Sequence, residues 1–215
     1  MVTLDEAYFY LNYCNGERKI CYVKRGGEIP SEWLVRCSES WPTGFMVVAR
    51  MTGRGTLPLL KVPPQVKISS AYYVENVLKQ YLETDVPKLY PGELDKVTFH
   101  HDRASSHRAN NTTLYLEDLR LRTGINYIAK ENIPVKSPDI SPMDFFGFGF
   151  LKQALFRRKA RTLNGLWKAV EEEWAKVTPE KCTEVFSAWK RRCRAVSAFH
   201  GGHIEQVKGI HRRAL

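Results

Sequence analysis

Lys96-Val97-Thr98-Phe99-His100-His101-Asp102-Arg103-Ala104-Ser105-Ser106-His107 is the stretch on which the fold turns. Gly92 marks a turn ahead of it, and Val97 and Phe99 give it the β-branched and aromatic character of a strand. The strand runs out into a polar cluster that also has the residues of a helix start. Ser105 or Ser106 is expected to cap a segment continuing through Leu114, Leu116, Leu119 and Leu121. Asp102 then sits at a strand-to-helix turn, partly exposed and rigidly held, as suits a metal ligand. Alone, an Asp in that place is more often a turn former or a cap, so its meaning depends on partners.

Two partners exist. Val2-Thr3-Leu4-Asp5-Glu6-Ala7-Tyr8-Phe9-Tyr10-Leu11 reads as a strand with Asp5 in mid-run, where a buried charge is costly unless paired or metal-bound. Ser137-Pro138-Asp139-Ile140-Ser141-Pro142-Met143-Asp144-Phe145-Phe146 places Asp144 in the first turn of a helix. With Pro142 at its first position, Ser141-Pro-Met-Asp144 also reads as a capping box, a role one side chain combines with a ligand role.

This trio resembles the catalytic domain of mariner-like transposases, within the wider group of DDE/DDD transposases and retroviral-type integrases. Asp5 falls in a strand followed by Asp-Glu and an aromatic, Asp102 in Asp-x-Ala-x-x-His, and Asp144 in Ser-Pro-Asp-x-x-Pro-x-(Asp/Glu). The resemblance extends over nearly the whole chain. Phe45–Ala49 and Ser70–Leu78 match the middle strands and first helix, and Phe150-Leu151-Lys152 and Phe199-His200-Gly201-Gly202-His203-Ile204-Glu205 match the closing segments.

The resemblance implies DNA cleavage and strand transfer. Such chemistry needs an attacking oxygen, an in-line leaving oxygen and neutralisation of charge on the phosphate, which two hard cations roughly 3.5–4 Å apart supply when carboxylates hold them. Asp5, Asp102 and Asp144 are thus the expected catalytic residues and ligands of two Mg²⁺ or Mn²⁺ ions, Asp5 bridging both. Asp139, after Pro138, is read as a turn residue, and Glu6 as pointing to the strand face opposite Asp5; both are left out of the site. His107 matches the family's His and is expected to orient Asp102 or contact phosphate, a structural hydrogen-bonding role being equally open. His100 and His101 are weaker candidates, because no Cys pair or His-Glu-x-x-His spacing supports zinc. Arg103, Arg157, Arg158 and Lys159 are expected phosphate contacts.

Two features depart from the family. Arg103 replaces a common Asn and either opposes metal binding or grips phosphate, and 41 residues separate Asp102 from Asp144, a spacing longer than in mariner proper. With Asp5 so near the start, no helix-turn-helix module is expected ahead of it, and sequence-specific recognition of transposon ends is not expected of this polypeptide. The alternatives are a catalytically inactive, transposon-derived nucleic-acid-binding remnant, and an RNase H-like nuclease of another lineage; the Gly-Gly-His-Ile-Glu match argues against the latter.

Composition agrees with a nucleic-acid partner. The 215 residues carry 33 Lys and Arg against 23 Asp and Glu, a net charge of +10, which favours polyanions. No apolar run approaches the roughly 18 residues of a membrane span. The five cysteines form no Cys-x-x-Cys pair and are read as reduced thiols of an intracellular, nuclear protein, although Cys14 and Cys21 are spaced to bridge in an oxidising setting. A homodimer is the assembly the resemblance implies.

In chain order, Val2–Tyr13 and Lys19–Lys24 flank Asn15-Gly16 as a hairpin, Gly44–Met51 and Leu57–Val62 form another about Gly53 and Gly55, and Tyr72 to Leu82 repeat at helical spacing after a Ser69 or Ser70 cap. Residues 125–129 read as a strand after a helix-ending Gly124. Leu163 to Val177 and Cys182 to Val196 form two apolar helical stripes, with Lys190, Arg191, Arg192 and Arg194 outside. The tryptophans fall on those stripes and are read as core. Antiparallel strands followed by alternating strands and helices predict a mixed α/β sheet of RNase H-like type, with residues 1–160 as the catalytic core and 161–215 as a helical extension packed on it.

Overall fold

The computed structural model describes residues 1–11, 43–134, 137–158, 160–202 and 204. The expected hairpin at Asn15-Gly16, Cys14, Cys21, Cys37, Lys159, and the His203 and Glu205 of the closing motif lie outside the described residues.

Strands β1 (Val2–Tyr10), β2 (Gly44–Thr52) and β3 (Gly55–Lys61) form an antiparallel meander. The β2–β3 turn is closed by Thr52, whose hydroxyl donates to Gly55 O (3.0 Å) and accepts from Arg54 N–H (3.0 Å). Two short strands, β4 (Thr98–His100) and β5 (Asn126–Tyr127), join in parallel on the other side, giving the order β3-β2-β1-β4-β5. This is the expected mixed RNase H-like sheet.

Helices cover both faces. On one lies α1 (residues 70–89), which opens as Ser70–Tyr72, continues as a π-helical stretch over Tyr73–Asp85 and closes as Val86–Leu89. Ser69 caps it, accepting from Tyr72 N–H at 3.2 Å. Tyr73, Val77, Leu78, Tyr81 and Leu82 of α1 pack on Val2, Leu4, Val48 and Phe99 of the sheet, together with Leu116 and Leu119 of α2 (Asn110–Thr123). On the opposite face, α3 (residues 143–156), α4 (Leu163–Trp174) and α5 (Pro179–Ala198) bring Leu151, Leu155, Leu166, Val170, Trp174, Cys182 and Val185 against Phe9, Val47, Ala49 and Met51. The C-terminal helices therefore share one core with the sheet. Trp174 Nε1 adds a bond to Leu57 O at 2.9 Å, and Thr178 caps α5 ahead of Pro179 by accepting from Lys181 N–H at 3.3 Å.

The start of α2 differs from expectation. Neither Ser105 nor Ser106 caps it; residues 104–108 instead form a turn in which Ala104 O accepts from His107 N–H and Arg108 N–H, both at 3.1 Å, and the helix begins at Asn110. Leu114 and Leu121, seven residues apart on one side, are exposed, while Leu116 and Leu119 are buried. The helix ends at Gly124 with φ of 80°, a left-handed conformation that favours glycine.

A buried ion pair joins the two halves of the first core. Arg50 on β2 donates to Asp85 Oδ2 at 2.8 Å and to Pro58 O at 2.7 and 3.2 Å, and Arg50 is only 6% exposed. Removing one partner strands a buried charge, so Asp85→Ala should lower the free energy of unfolding by about 3 kcal/mol in urea titrations, and Arg50→Met with Asp85→Leu should restore most of it. A loss below about 1 kcal/mol would place this pair with ordinary surface ion pairs.

Candidate metal and phosphate site

The site begins with strand register. β1 and β4 run parallel with Val2 opposite Phe99 and Thr3 opposite His100; Asp5 lies two residues past Thr3 on β1 and Asp102 two residues past His100, beyond the end of β4, close enough for the Asp102 charge to act on Asp5. Asp144 enters from the far side on the first turn of α3. Its N–H and that of Phe145 both bond Ser141 O at 3.0 Å, and the turn is π-helical, with Phe148 N–H reaching Met143 O. Asp102 and Asp144 face each other across a cleft of about 370 Å³, walled also by His100, Arg103, Ile133 and Ser141.

Burial grades the three carboxylates. Asp5 is buried, Asp102 half-buried and Asp144 exposed. Desolvation raises the Asp5 pKa well above the usual carboxylate range, and repulsion from Asp102, Glu6 and Asp144 adds to it; the Glu6 N–H at 2.7 Å opposes it. Desolvation likewise raises Asp144, with Asp102 contributing, against a hydrogen bond from the Ser141 side chain. The capping box expected of Ser141 and Asp144 does not form: Pro142 is the N-cap without a side-chain cap bond, and Asp144 N–H bonds the Ser141 backbone carbonyl. A buried acid ringed by other acids is stable with a proton on it or a cation beside it.

Asp102 is held differently. Its Oδ1 accepts from Ala104 N–H (2.9 Å) and from His107 Nδ1 (2.5 Å), and His107 Nε2 reaches Glu6 Oε1 at 3.2 Å. Burial alone would depress His107, but its hydrogen bonds to Asp102 and Glu6 outweigh burial and push its pKa up to about 10. His107 is therefore an imidazolium donating to a carboxylate on each side. Burial also works against ionisation of Asp102, yet the His107 and Ala104 bonds prevail and its pKa is lowered. Behind them, Tyr73 stacks on His107 at 4.1 Å between centroids, and His101 lies parallel to His107 at 4.9 Å and 5°. Tyr73, kept protonated by desolvation, shares a hydrogen bond between its hydroxyl and His101 Nδ1 at 2.9 Å.

The residues read from the sequence are thus placed as follows. Asp102 and Asp144 line the cleft, and Asp5 lies close enough for the charges of both to act on it without lining the cleft itself. His107 hydrogen-bonds Asp102. Glu6 does point to the face opposite Asp5, but that is the face on which His107 lies, so it joins the cluster from which alternation had excluded it. Asp139 is buried and accepts from Ile204 N–H at 3.1 Å through Oδ2. His100, driven to about 4 by desolvation, is a neutral core residue bonded to Thr3 Oγ1 at 3.0 Å. Arg103 lines the cleft and donates to Ile133 O (3.4 Å), Arg157 is exposed at the end of α3, and Arg158 is paired with Glu172 and Glu173 of α4. Arg192, expected outside, is buried, and with Trp189 it supports the Asp144 segment from α5.

The donor set suits a hard divalent cation in kind: oxygen ligands, one of them buried, mutually repelling. Among the described residues no three His, Cys, Asp or Glu side chains already converge as ligands of one ion. Among the described residues, too, no helix is long and apolar enough to cross a membrane.

No protein-family model matches the sequence, nor does any curated protein. Solved structures do match in fold. A Mos1 mariner paired-end complex with Mn superposes with a TM-score of 0.73 at 22% identity, covering 95% of this chain and 56% of that one. A pre-cleavage Mos1 transpososome gives 0.72 at 23% identity over the same shares, and the catalytic domain of Mos1 mariner transposase 0.66 at 19% identity, covering 95% and 83%. The chain spans just over half of the longer proteins in the first two. The described residues thus have the fold of the mariner transposase catalytic domain.

Proposed function

We propose that this chain is the catalytic domain of a mariner-like DNA transposase that cleaves phosphodiester bonds and joins DNA strands at Asp5, Asp102 and Asp144. The observation that supports the reading is the parallel pairing of β1, which carries Asp5, with β4, which ends two residues before Asp102, on a fold shared with the Mos1 catalytic domain. Two Mg²⁺ or Mn²⁺ ions would activate the attacking oxygen and stabilise the leaving one. Within the protein, Asp5 supplies a buried carboxylate with a strong electrostatic demand for a cation. Asp102 presents a carboxylate fixed at Oδ1 by His107 and Ala104 N–H, and Asp144 closes the cleft from α3.

Arg103 is compatible with the active reading, because its guanidinium donates to the Ile133 carbonyl in the cleft wall and forms no ion pair with Asp102 among the pairs described. The complexes formed by Mos1 with transposon ends are the basis for extending DNA and a dimeric assembly to this chain, with Arg103 and Arg157 as phosphate contacts and the nucleus as the place of action.

Two predictions test this. In Mn²⁺ the protein should nick supercoiled plasmid, and Asp102→Ala should cut the rate by about 10²-fold or more and abolish the calorimetric Mn²⁺ signal; equal titrations of both proteins would leave the fold without its chemistry. For His107, Asn places a donor near the Nδ1 position and Ala does not. His107→Ala should weaken Mn²⁺ binding about 10- to 100-fold, His107→Asn much less, and equal losses in both would remove His107 as the group that orients Asp102.

A further inference from the structure

The segment that delivers Asp144 is gripped from behind by α5. Trp189 Nε1 donates to Ile140 O at 2.9 Å, and Arg192 Nη1 donates to Asp139 O at 2.7 Å. Two consecutive carbonyls are thus held by side chains three residues, nearly one turn, apart on a single helix. The same guanidinium lies 4.2 Å from the ring centroid of Phe145, the residue after Asp144. Asp139 is itself tied, through its carboxylate, to Ile204 N–H. One residue further on, Ser141 O takes the N–H groups of Asp144 and Phe145. From α5 to the carboxylate the path is therefore a short run of bonded backbone.

Packing alone does not account for Arg192. It is 7% exposed and falls at helical spacing with Val185, Trp189 and Val196, where an aliphatic side chain would fill the space without the several kcal/mol of desolvation that a buried charge costs. What an aliphatic residue would lack is a donor to the Asp139 carbonyl and a cation over Phe145. Trp189 likewise spends its indole N–H on the neighbouring carbonyl.

We propose that Trp189 and Arg192 are positioning residues for Asp144, with α5 acting as a clamp that fixes the residue 139–141 turn and hence where α3 presents its carboxylate. This rests on the reading of Asp144 as a metal ligand. A change in α5, far from the reacting atoms in sequence, then alters the cleft without touching any ligand.

The test uses Trp189→Phe, which keeps the ring and removes the donor, alongside Arg192→Met and Arg192→Lys, at a temperature where circular dichroism shows each variant folded. Hydrogen exchange of the Asp144 and Phe145 amides is read first, then Mn²⁺ affinity by calorimetry. Trp189→Phe and Arg192→Met should speed exchange across residues 141–147 about tenfold, leaving β1 and β2 protected, and weaken Mn²⁺ binding about 10- to 100-fold; Arg192→Lys should fall between these and the unaltered protein. Unchanged exchange at 144 and 145, or a uniform rise throughout the fold with Mn²⁺ affinity intact, would overturn the proposal and leave both residues a part in global stability only. Should the unaltered protein itself bind no Mn²⁺, the metal reading of Asp144 falls and exchange alone decides whether the clamp exists.

Discussion

The parallel pairing of β1 with β4 is the constraint on which the rest depends. Two strands that run side by side in the same direction end at the same edge of the sheet, and here Asp5 on β1 and Asp102, just past the end of β4, are brought close enough to repel. Like charges in such a place repel and resist desolvation, so the surrounding structure must answer them. It does so unequally. Asp102 receives an imidazolium and a backbone N–H and stays ionised, while Asp5, with the Glu6 N–H alone among the bonds described, is pushed toward its protonated form. One carboxylate is settled and its neighbour is left demanding positive charge.

Much of this was legible in the sequence, because it follows from local rules. The Asp102 strand end, the Ser69 cap, Gly124 as a helix stop and the β2–β3 hairpin all depend on residues within a few positions of one another. Alternation correctly sent Glu6 to the face opposite Asp5. The rule does not say what waits on that face, and His107 arrives there through a turn whose geometry is set by its own bond to Asp102. Tyr73 was visible as part of an apolar stripe, but its stacking on His107 joins residues far apart in the chain. The Ser105/Ser106 cap failed for a related reason: the Asp102–His107 bond draws residues 104–108 into a turn and postpones the helix to Asn110.

Arg192 shows how a charged residue misleads a periodic reading. Its position, three after Trp189 and seven after Val185, places it on the inward stripe of α5, while its charge argued for the outer face beside Lys190, Arg191 and Arg194. Geometry prevailed because carbonyls and an aromatic ring were there to receive the guanidinium. Position within the period was the available signal. What no local rule supplied was the acceptor, which comes from a turn some fifty residues earlier.

The supports of the three carboxylates come from different layers of the molecule. Asp102 is steadied through His107 by Tyr73, on the α1 side of the sheet. Asp144 is steadied through the 139–141 turn by α5, which packs on the opposite side. Asp5 belongs to β1, the central strand between the two cores, whose residues alternate between them. The carboxylates therefore meet only when both helical layers are packed on the same strand. Such an arrangement couples the site to the completed fold, and it assigns different consequences to damage on either face: disturbance of the α1 layer reaches Asp102 through an imidazolium, whereas disturbance of the α5 layer reaches Asp144 through backbone.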